Sequence, residues 1–188
     1  MSLICFTNGS LARERMKAAC GVDWNFFDNE ALALTTFGNG GKMMLPYYQP
    51  ESTPLVLKPG VKFNFENEPS AVKIRALLES QALSMRLHSA WQGEDFTRIR
   101  VTGGASKSRG FRQILANIFQ AEIETISVSN SAGLGAAMRA ANAVGGFSFD
   151  TLSERFCKAT EIIQPDRSLK ETADHMLAAF ATFESNRC

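Results

Sequence analysis

The chain has 188 residues, 45% of them hydrophobic, and its 20 basic and 19 acidic side chains leave a net charge of +1. This length and composition predict one domain, residues 1–188, with a sizeable hydrophobic core. The balanced charge argues against nucleic-acid binding, which needs a basic surface. No run of about 18 apolar residues occurs, so the sequence predicts no membrane span.

The cysteines and histidines give no sign of a metal site or a disulfide framework. The chain has four cysteines and two histidines, and no two cysteines have CxxC spacing. A zinc site with four Cys/His ligands and a disulfide scaffold are therefore both unsupported. Reduced thiols in a cytoplasmic protein are the expectation. The residues are Cys5, Cys20, Cys157, Cys188, His88 and His175.

The chain opens on an apolar stretch, residues 3–7, which predicts the last part of a strand whose earlier part precedes the chain. Ser10 suits the N-cap of a helix that reaches about Ala19 and stops at Gly21. Asp23 suits the cap of a second helix, residues 24–35.

The middle of the chain predicts irregular structure followed by one long helix. Residues 37–41 read as a flexible glycine loop, and residues 43–68 as irregular with one short strand at 61–65. A helix should then run from Pro69 to about residue 92, because apolar residues recur at helical spacing and Gly93 suits its end.

The second half alternates strands and helices, which predicts an α/β layered fold. Strands are expected at residues 98–102 and 121–128, with one helix after the glycine turn that buries residues between Phe111 and Phe119, a weaker one from about Asp150, and a last one at 168–184. Another helix, rich in Gly and Ala and capped by Ser129 or Ser131, should end at residues 145–146. Its small side chains suggest close packing on the sheet.

One turn carries the clearest chemical signal, since a strand runs into Gly103 and Gly104 and a helix follows directly. Without Cβ atoms, these glycines let the backbone approach a ligand, and the helix N-terminus offers free N–H groups to an anion. A tight turn without a ligand explains the same local pattern equally well. Both interpretations remain open on this segment alone.

Two other nucleotide-binding loops do not fit this turn. The dinucleotide loop of short-chain dehydrogenases needs further glycines, where this chain has Lys107 and Arg109. The only tyrosines, Tyr47 and Tyr48, lie upstream of the turn, so the downstream Tyr/Lys pair of those enzymes is missing. A Walker A loop is excluded because the chain contains no GK[ST].

Several segments, in order, resemble the C-terminal ATP-binding domain of the FGGY carbohydrate kinases, and are most similar to eukaryotic-type xylulose kinases. The resemblance runs from about residue 4 to about residue 146 and fades after that. Its segments are Thr7-Asn8-Gly9-Ser10-Leu11 with Arg13-Glu14, Gly38-Asn39-Gly40-Gly41, Arg75-Ala76-Leu77-Leu78-Glu79 with Gln81, Arg86 and His88, Thr102-Gly103-Gly104-Ala105-Ser106, and Asn130-Ser131-Ala132-Gly133-Leu134-Gly135-Ala136-Ala137.

The resemblance implies a ribonuclease H-like, actin-type fold, here truncated at its N-terminus, in which ATP lies between two domains. It implies nucleotide contacts at Gly103, Gly104, Ala105, Ser108 and Trp24. Ser108 departs from the Asn expected there, keeping a hydrogen-bonding group with a shorter reach. For Trp24, burial in the core is the alternative, since tryptophan is mostly buried in proteins.

The resemblance also implies what this chain lacks. The family's catalytic Asp, in a GD[NQ]-type motif, and its sugar-binding residues should lie upstream, so no catalytic or metal-binding residue is expected here. The expected function is the ATP-binding portion of a Mg²⁺-dependent D-xylulose kinase, inactive by itself. Another pentulose or polyol kinase and a non-catalytic nucleotide-binding module are the alternatives.

A strand and an apolar face without neighbours would lead the chain to self-associate. The sequence places this exposed apolar area around Phe6, Phe26, Phe27 or Phe37.

Overall fold

A computed structural model describes residues 3–93, 95–128 and 130–186 of the chain. The α-helices are α1 (Ser10–Cys20), α2 (Ala31–Ala33), α3 (Ser70–Ser89), α4 (Arg109–Phe119), α5 (Ser131–Gly145), α6 (Phe149–Phe156) and α7 (Lys170–Ser185). The strands are β1 (Met44–Tyr47), β2 (Gly60–Phe63), β3 (Arg98–Val101), β4 (Glu122–Ile126) and β5 (Ala159–Ile163). Within these ranges, no helix is long and apolar enough to cross a membrane.

The strands form two small sheets. In the first, β1 and β2 pair antiparallel, with Met44 opposite Phe63. In the second, the order is β3-β4-β5, with β3 parallel to β4 and β5 antiparallel to β4. Since β4 is central, β3 and β5 are both edge strands of this sheet. The parallel β3–β4 pair is joined through α4, which is the βαβ arrangement that the sequence predicted.

The hydrophobic core is built around α3, the long helix predicted at residues 69–92. Helices α1, α4 and α7 and strand β1 all contact it. Its side chains Ile74, Leu77, Leu78 and Leu83 are completely buried. Gly93 ends the helical segment in the left-handed conformation, as predicted.

The predicted first strand, residues 3–7, is wrong, because the structure has no strand there. Instead the Glu51 carboxylate accepts the backbone N–H groups of Thr7 and Asn8, at 2.7 and 2.9 Å. A side chain therefore takes the hydrogen bonds that a neighbouring strand would otherwise make. Ser10 is also not a cap: it is the first residue of α1, after Gly9.

Three other expectations need correction. Residues 24–35 do not form a regular helix, because Phe26–Glu30 is a π-helical turn before α2, although Asp23 accepts the Phe26 N–H as expected of a cap. Strands β1 and β5 were not foreseen. Asn130, rather than Ser131, caps α5, and Ser129 lies outside the described residues.

Helix α5 differs most from its prediction, because it does not pack closely on the sheet. None of its residues is buried, and its main contact is with α6. A Cβ atom added at Gly135 would meet nothing within 4 Å. Gly133 lies close to the Asn130 side chain and Gly145 close to Phe147, but among the described residues no contact with the sheet explains the small residues of α5.

Candidate functional site

The glycine turn lies between the end of β3 and the start of α4. Gly103 has φ +81°, a left-handed conformation that favours glycine, and accepts a hydrogen bond from the Ser106 hydroxyl at 2.7 Å. Gly104 begins a short 3-10 turn with an ordinary φ, and a Cβ atom there would meet nothing within 4 Å. The backbone therefore requires glycine at Gly103, whereas at Gly104 the fold leaves open space.

Ser108 is the N-cap of α4, and this role occupies its side chain. The residue is buried, and its hydroxyl oxygen accepts the N–H of Phe111 at 3.3 Å. The Ser108 hydroxyl proton remains able to donate, but burial and the cap restrict where it can point. Serine thus supports the helix that follows the turn at the position where the resemblance expects Asn.

Trp24 lies on the surface, so the alternative of a core tryptophan is wrong. Its side chain is 45% exposed. The ring meets the buried Phe27 ring edge-on, with centroids 5.4 Å apart, and the Lys17 ammonium lies 5.5 Å from the Trp24 ring centroid. These contacts hold the indole while leaving much of it open to solvent.

The turn and Trp24 line the same cleft, which has a volume of about 460 Å³. Of the residues that the sequence singled out, Trp24, Gly104, Ala105 and Ser108 line it, and Gly103 does not. Residues separated by about 80 positions in the chain are therefore brought together. The other lining residues are Ser10, Arg13, Glu14, Asp28 and Lys107.

The sequence did not point to Arg13, which also lines this cleft. The residue is buried, its Nε donates to the Gln81 side-chain oxygen at 2.7 Å, and its guanidinium lies 3.9 Å from the Phe111 ring centroid. Burial lowers the pKa of Arg13 to about 10, although the Asp28 carboxylate opposes the shift. The available signal was its spacing: Arg13 and Met16 both lie on the buried face of α1.

A buried polar network fixes the start of α1 and with it the cleft wall. The Gln81 amide donates to the carbonyls of Asn8 and Gly9, at 2.8 and 2.9 Å. Burial alone would raise the pKa of Glu51, but the N–H groups of Thr7, Asn8 and Ser52 and the Asn8 side chain together lower it. The wall that carries Arg13 is thereby tied to the core helix α3.

A larger cleft of about 590 Å³ lies near the start of β3, away from the glycine turn. Its basic groups already have partners: Arg86 and Lys170 both bind Asp174, at 2.8 and 2.6 Å, and Arg167 donates to the Gln120 carbonyl at 2.7 Å. We therefore place the candidate site at the smaller cleft, which the glycine turn borders.

The described part of the chain offers no group of three or more His, Cys, Asp or Glu that could hold a metal ion. Cys5, Cys20 and Cys157 are free thiols, and Cys188 lies outside the described residues.

Comparison with known proteins identifies the family. The sequence profile of the FGGY family of carbohydrate kinases, C-terminal domain, matches residues 26–144. The xylulose kinase of Mus musculus is 37% identical over 155 residues, covering 78% of this chain and 28% of that protein. Xylulose kinase 2 of Arabidopsis thaliana is 30% identical over 162 residues, covering 76% and 29%. The chain thus spans less than a third of the length of these relatives.

Solved structures agree on the fold. A ligand-bound xylulose kinase from Lactobacillus acidophilus matches 96% of this chain with a TM-score of 0.85 at 20% identity, over 38% of its own chain. Plasmodium falciparum glycerol kinase with ADP matches 97% with a TM-score of 0.77 at 18% identity, over 37% of its chain. The predicted α/β, actin-type fold is confirmed, and the chain belongs to the FGGY family of carbohydrate kinases, matching its C-terminal domain.

Proposed function

We propose that this chain is the ATP-binding C-terminal portion of an ATP-dependent D-xylulose kinase, and that the cleft between Trp24 and the glycine turn holds the adenosine end of the nucleotide. The observation that carries the proposal is the meeting of Trp24, Gly104 and Ala105 in one cleft. These residues come from distant parts of the sequence, and the interpretation of the turn as plain chain reversal does not explain their meeting.

The surfaces of the cleft suit a nucleoside. The exposed part of the Trp24 indole offers a flat apolar face to a base. Gly104, with free space where a side chain would stand, lets a ligand approach the backbone. Sugar and base could thus lie between an aromatic ring and bare backbone.

The residues described here do not fit a Mg²⁺ site, since no cluster of three or more candidate ligands exists among them. The metal and the sugar would be bound by other parts of a kinase, and the chain by itself should not phosphorylate D-xylulose. An assay of sugar-dependent ADP release checks this. Turnover well above background would mean that the chain contains a complete active site.

The choice of D-xylulose rests on relatives named xylulose kinase that are 37% and 36% identical to this chain. Another pentulose or a polyol remains the alternative. Turnover by the complete kinase with D-xylulose, other pentuloses and glycerol separates these substrates.

Nucleotide binding can be measured through Trp24, because the chain's other tryptophan, Trp91, lies outside the cleft. In the Trp91→Phe variant, ADP should change the fluorescence of Trp24 in a saturable way. Gly104→Val should abolish this change without loss of fold, because its Cβ meets nothing in the protein. Gly60→Val, at another open glycine, is the matched control. Equal binding by wild type and Gly104→Val would contradict the proposed site.

A further inference from the structure

The guanidinium of Arg13 has N–H donors that no acceptor in the described part of the protein uses. Its Nε is used by Gln81, and Phe111 supports the guanidinium plane at 3.9 Å. Across the described ranges, neither terminal nitrogen of Arg13 has a hydrogen-bond acceptor in the protein, although the residue is only 7% exposed. Both nitrogens keep contact with the cleft, so only water or a ligand there can accept their hydrogen bonds, and this position points to a ligand.

Asp28 lines the same cleft and interacts electrostatically with Arg13. Yet the two side chains form no ion pair within 4.0 Å in the part of the chain described, where shorter pairs are common. A fixed donor and a carboxylate acceptor thus share the cleft without satisfying each other. A molecule that presents an acceptor beside a donor can bind both.

We propose that Arg13 and Asp28 read one edge of the purine base: Arg13 donates to a ring nitrogen, and Asp28 accepts from the 6-amino group. The proposal rests on the proposed nucleotide site. Adenine carries this amino donor next to the acceptors N1 and N7, so either edge matches the pair.

The charges of the cleft favour the base over a phosphate as the partner of Arg13. Glu14 and Asp28 offset Arg13 and Lys107 in the cleft lining, so the lining has no net positive charge, and the Asp28 carboxylate near Arg13 would repel a phosphate there. A neutral base with both donors and acceptors meets no such repulsion.

The rigid setting of Arg13 supports a role in selectivity. Gln81 holds Nε while also binding the backbone at Asn8 and Gly9, so the guanidinium is fixed relative to α1 and α3. Phe111 lies three residues after Ser108, which caps the helix at the glycine turn. Both walls of the cleft therefore orient Arg13 before a ligand arrives, which lowers the entropic cost of binding.

Calorimetric titration of ADP into the chain tests the first half of the proposal. Loss of a charge-assisted hydrogen bond should weaken ADP binding by about 10- to 100-fold in Arg13→Met. Arg13→Lys keeps the charge but not the planar fork, so it should recover only part of the affinity. Arg15→Met removes the same charge from the exposed side of α1 and should bind ADP as the wild type does. Circular dichroism confirms that each variant is folded.

Analogues of the base test the contact of Asp28 with the 6-amino group and identify the ring nitrogen that Arg13 contacts. Asp28→Ala should weaken ADP binding about tenfold, but should leave unchanged the binding of purine riboside diphosphate, which lacks the 6-amino group. Arg13→Lys should weaken the binding of one deaza analogue of ADP but not of the other. The analogue whose binding is unchanged, 1-deaza or 7-deaza, lacks the ring nitrogen that Arg13 contacts.

Each outcome has a separate meaning. No ADP binding by the wild type overturns the proposed nucleotide site itself. Binding that Arg13→Met and Arg13→Lys leave intact overturns only the role of Arg13. An Arg13 effect of the same size with both deaza analogues assigns the contact to ribose or phosphate and overturns base reading.

Discussion

Two helices of this chain are both rich in small or apolar residues and differ completely in their surroundings. In α3, 13 of 20 residues are buried, whereas none of the 15 residues of α5 is. Helix α3 contacts helices on several sides and a strand, but α5 contacts mainly α6. The comparison teaches that helical periodicity identifies a helix, while the partners that cover it are decided by the rest of the fold.

The stability of α5 is correspondingly local. Asn130 accepts the N–H of Gly133 at 2.9 Å at its start, and the Asn142 amide donates to the Phe147 carbonyl at 2.8 Å near its end. Alanine, the best helix former, makes up much of its length. Caps and intrinsic propensity thus hold α5 where α3 relies on burial.

The largest expected effect compares one leucine from each helix. Leu78→Ala in α3 should lower the free energy of unfolding by about 2–5 kcal/mol, because it leaves a cavity at a fully buried site. Leu134→Ala in α5, where the side chain is only half-buried, should cost less than about 1 kcal/mol. Urea unfolding measures both. Similar losses would break the contrast between the helices.

A second prediction concerns the buried pair Arg75–Glu79 of α3, whose nitrogen and oxygen lie 3.0 Å apart. Burial raises the pKa of Glu79 to about 7 from 4.5, although Arg75 opposes the shift. Because the pKa of Glu79 is higher in the folded chain, its contribution to the free energy of unfolding is complete below about pH 4.5. That contribution is lost as the pH rises through about 7. Between pH 5 and 8 the wild type should therefore lose roughly 1–3 kcal/mol relative to Glu79→Gln.

Urea unfolding at several pH values measures this slope. Glu79→Gln keeps an oxygen that can accept from Arg75 but does not titrate, so the slope of its unfolding free energy against pH is the informative quantity. Glu154→Gln, on the exposed α6, is the control and should keep the wild-type slope. If the free energy of unfolding changed with pH in parallel for the wild type and Glu79→Gln, Glu79 would stay ionised in the fold over this range.

The same contrast explains how much of the fold the sequence predicts. Helix α3 was predicted closely, because its apolar spacing and its terminal Pro69 and Gly93 are local signals. Strand β1 was missed because it contains Pro46 and lies among turn residues, and it forms by pairing with β2, 13 residues further on. Local sequence patterns predict where a helix begins and ends, but they do not predict which distant segments pair as strands.

The candidate site follows the same rule. The glycine turn is visible in the sequence because Gly103 and Gly104 are a local feature, and Trp24 could be reached only through the family resemblance. Arg13 escaped assignment because its importance comes from Gln81 and Phe111, which the fold brings to it over 68 and 98 positions. A buried charge is recognisable only when its surroundings are known.

The third prediction concerns self-association, and the structure changes its location. Phe27 is completely buried, Phe26 and Phe37 are half-buried against the core, and Phe6 is half-buried, so none of these four residues is fully exposed. The exposed apolar residues of α5, α6 and the turn between them are Val144, Phe147, Phe149 and Phe156. We expect a second copy of the chain to cover this surface, since exposed patches of this kind tend to find partners.

Sedimentation at micromolar concentration measures the association. Val144→Glu should weaken it about tenfold, because Val144 is 92% exposed in the free chain and would bury a charge in the dimer. Leu57→Glu, at an exposed leucine elsewhere, should leave the association unchanged. A monomer at all concentrations would show that this surface does not bind a second copy.

The smallest expected effect is local and concerns the cap of α5. Asn130→Ala removes the acceptor of the Gly133 N–H, which should raise the free energy of the first turn by about 1 kcal/mol. Amide hydrogen exchange at Gly133 should then become about fivefold faster, while the free energy of global unfolding stays the same because α5 makes so few contacts with the core. Asn130→Gly also removes this acceptor but costs only a few tenths of a kcal/mol at a cap, so it should raise the Gly133 exchange rate less than Asn130→Ala does. Global destabilisation by Asn130→Ala would instead mean that α5 and α3 unfold as one cooperative unit.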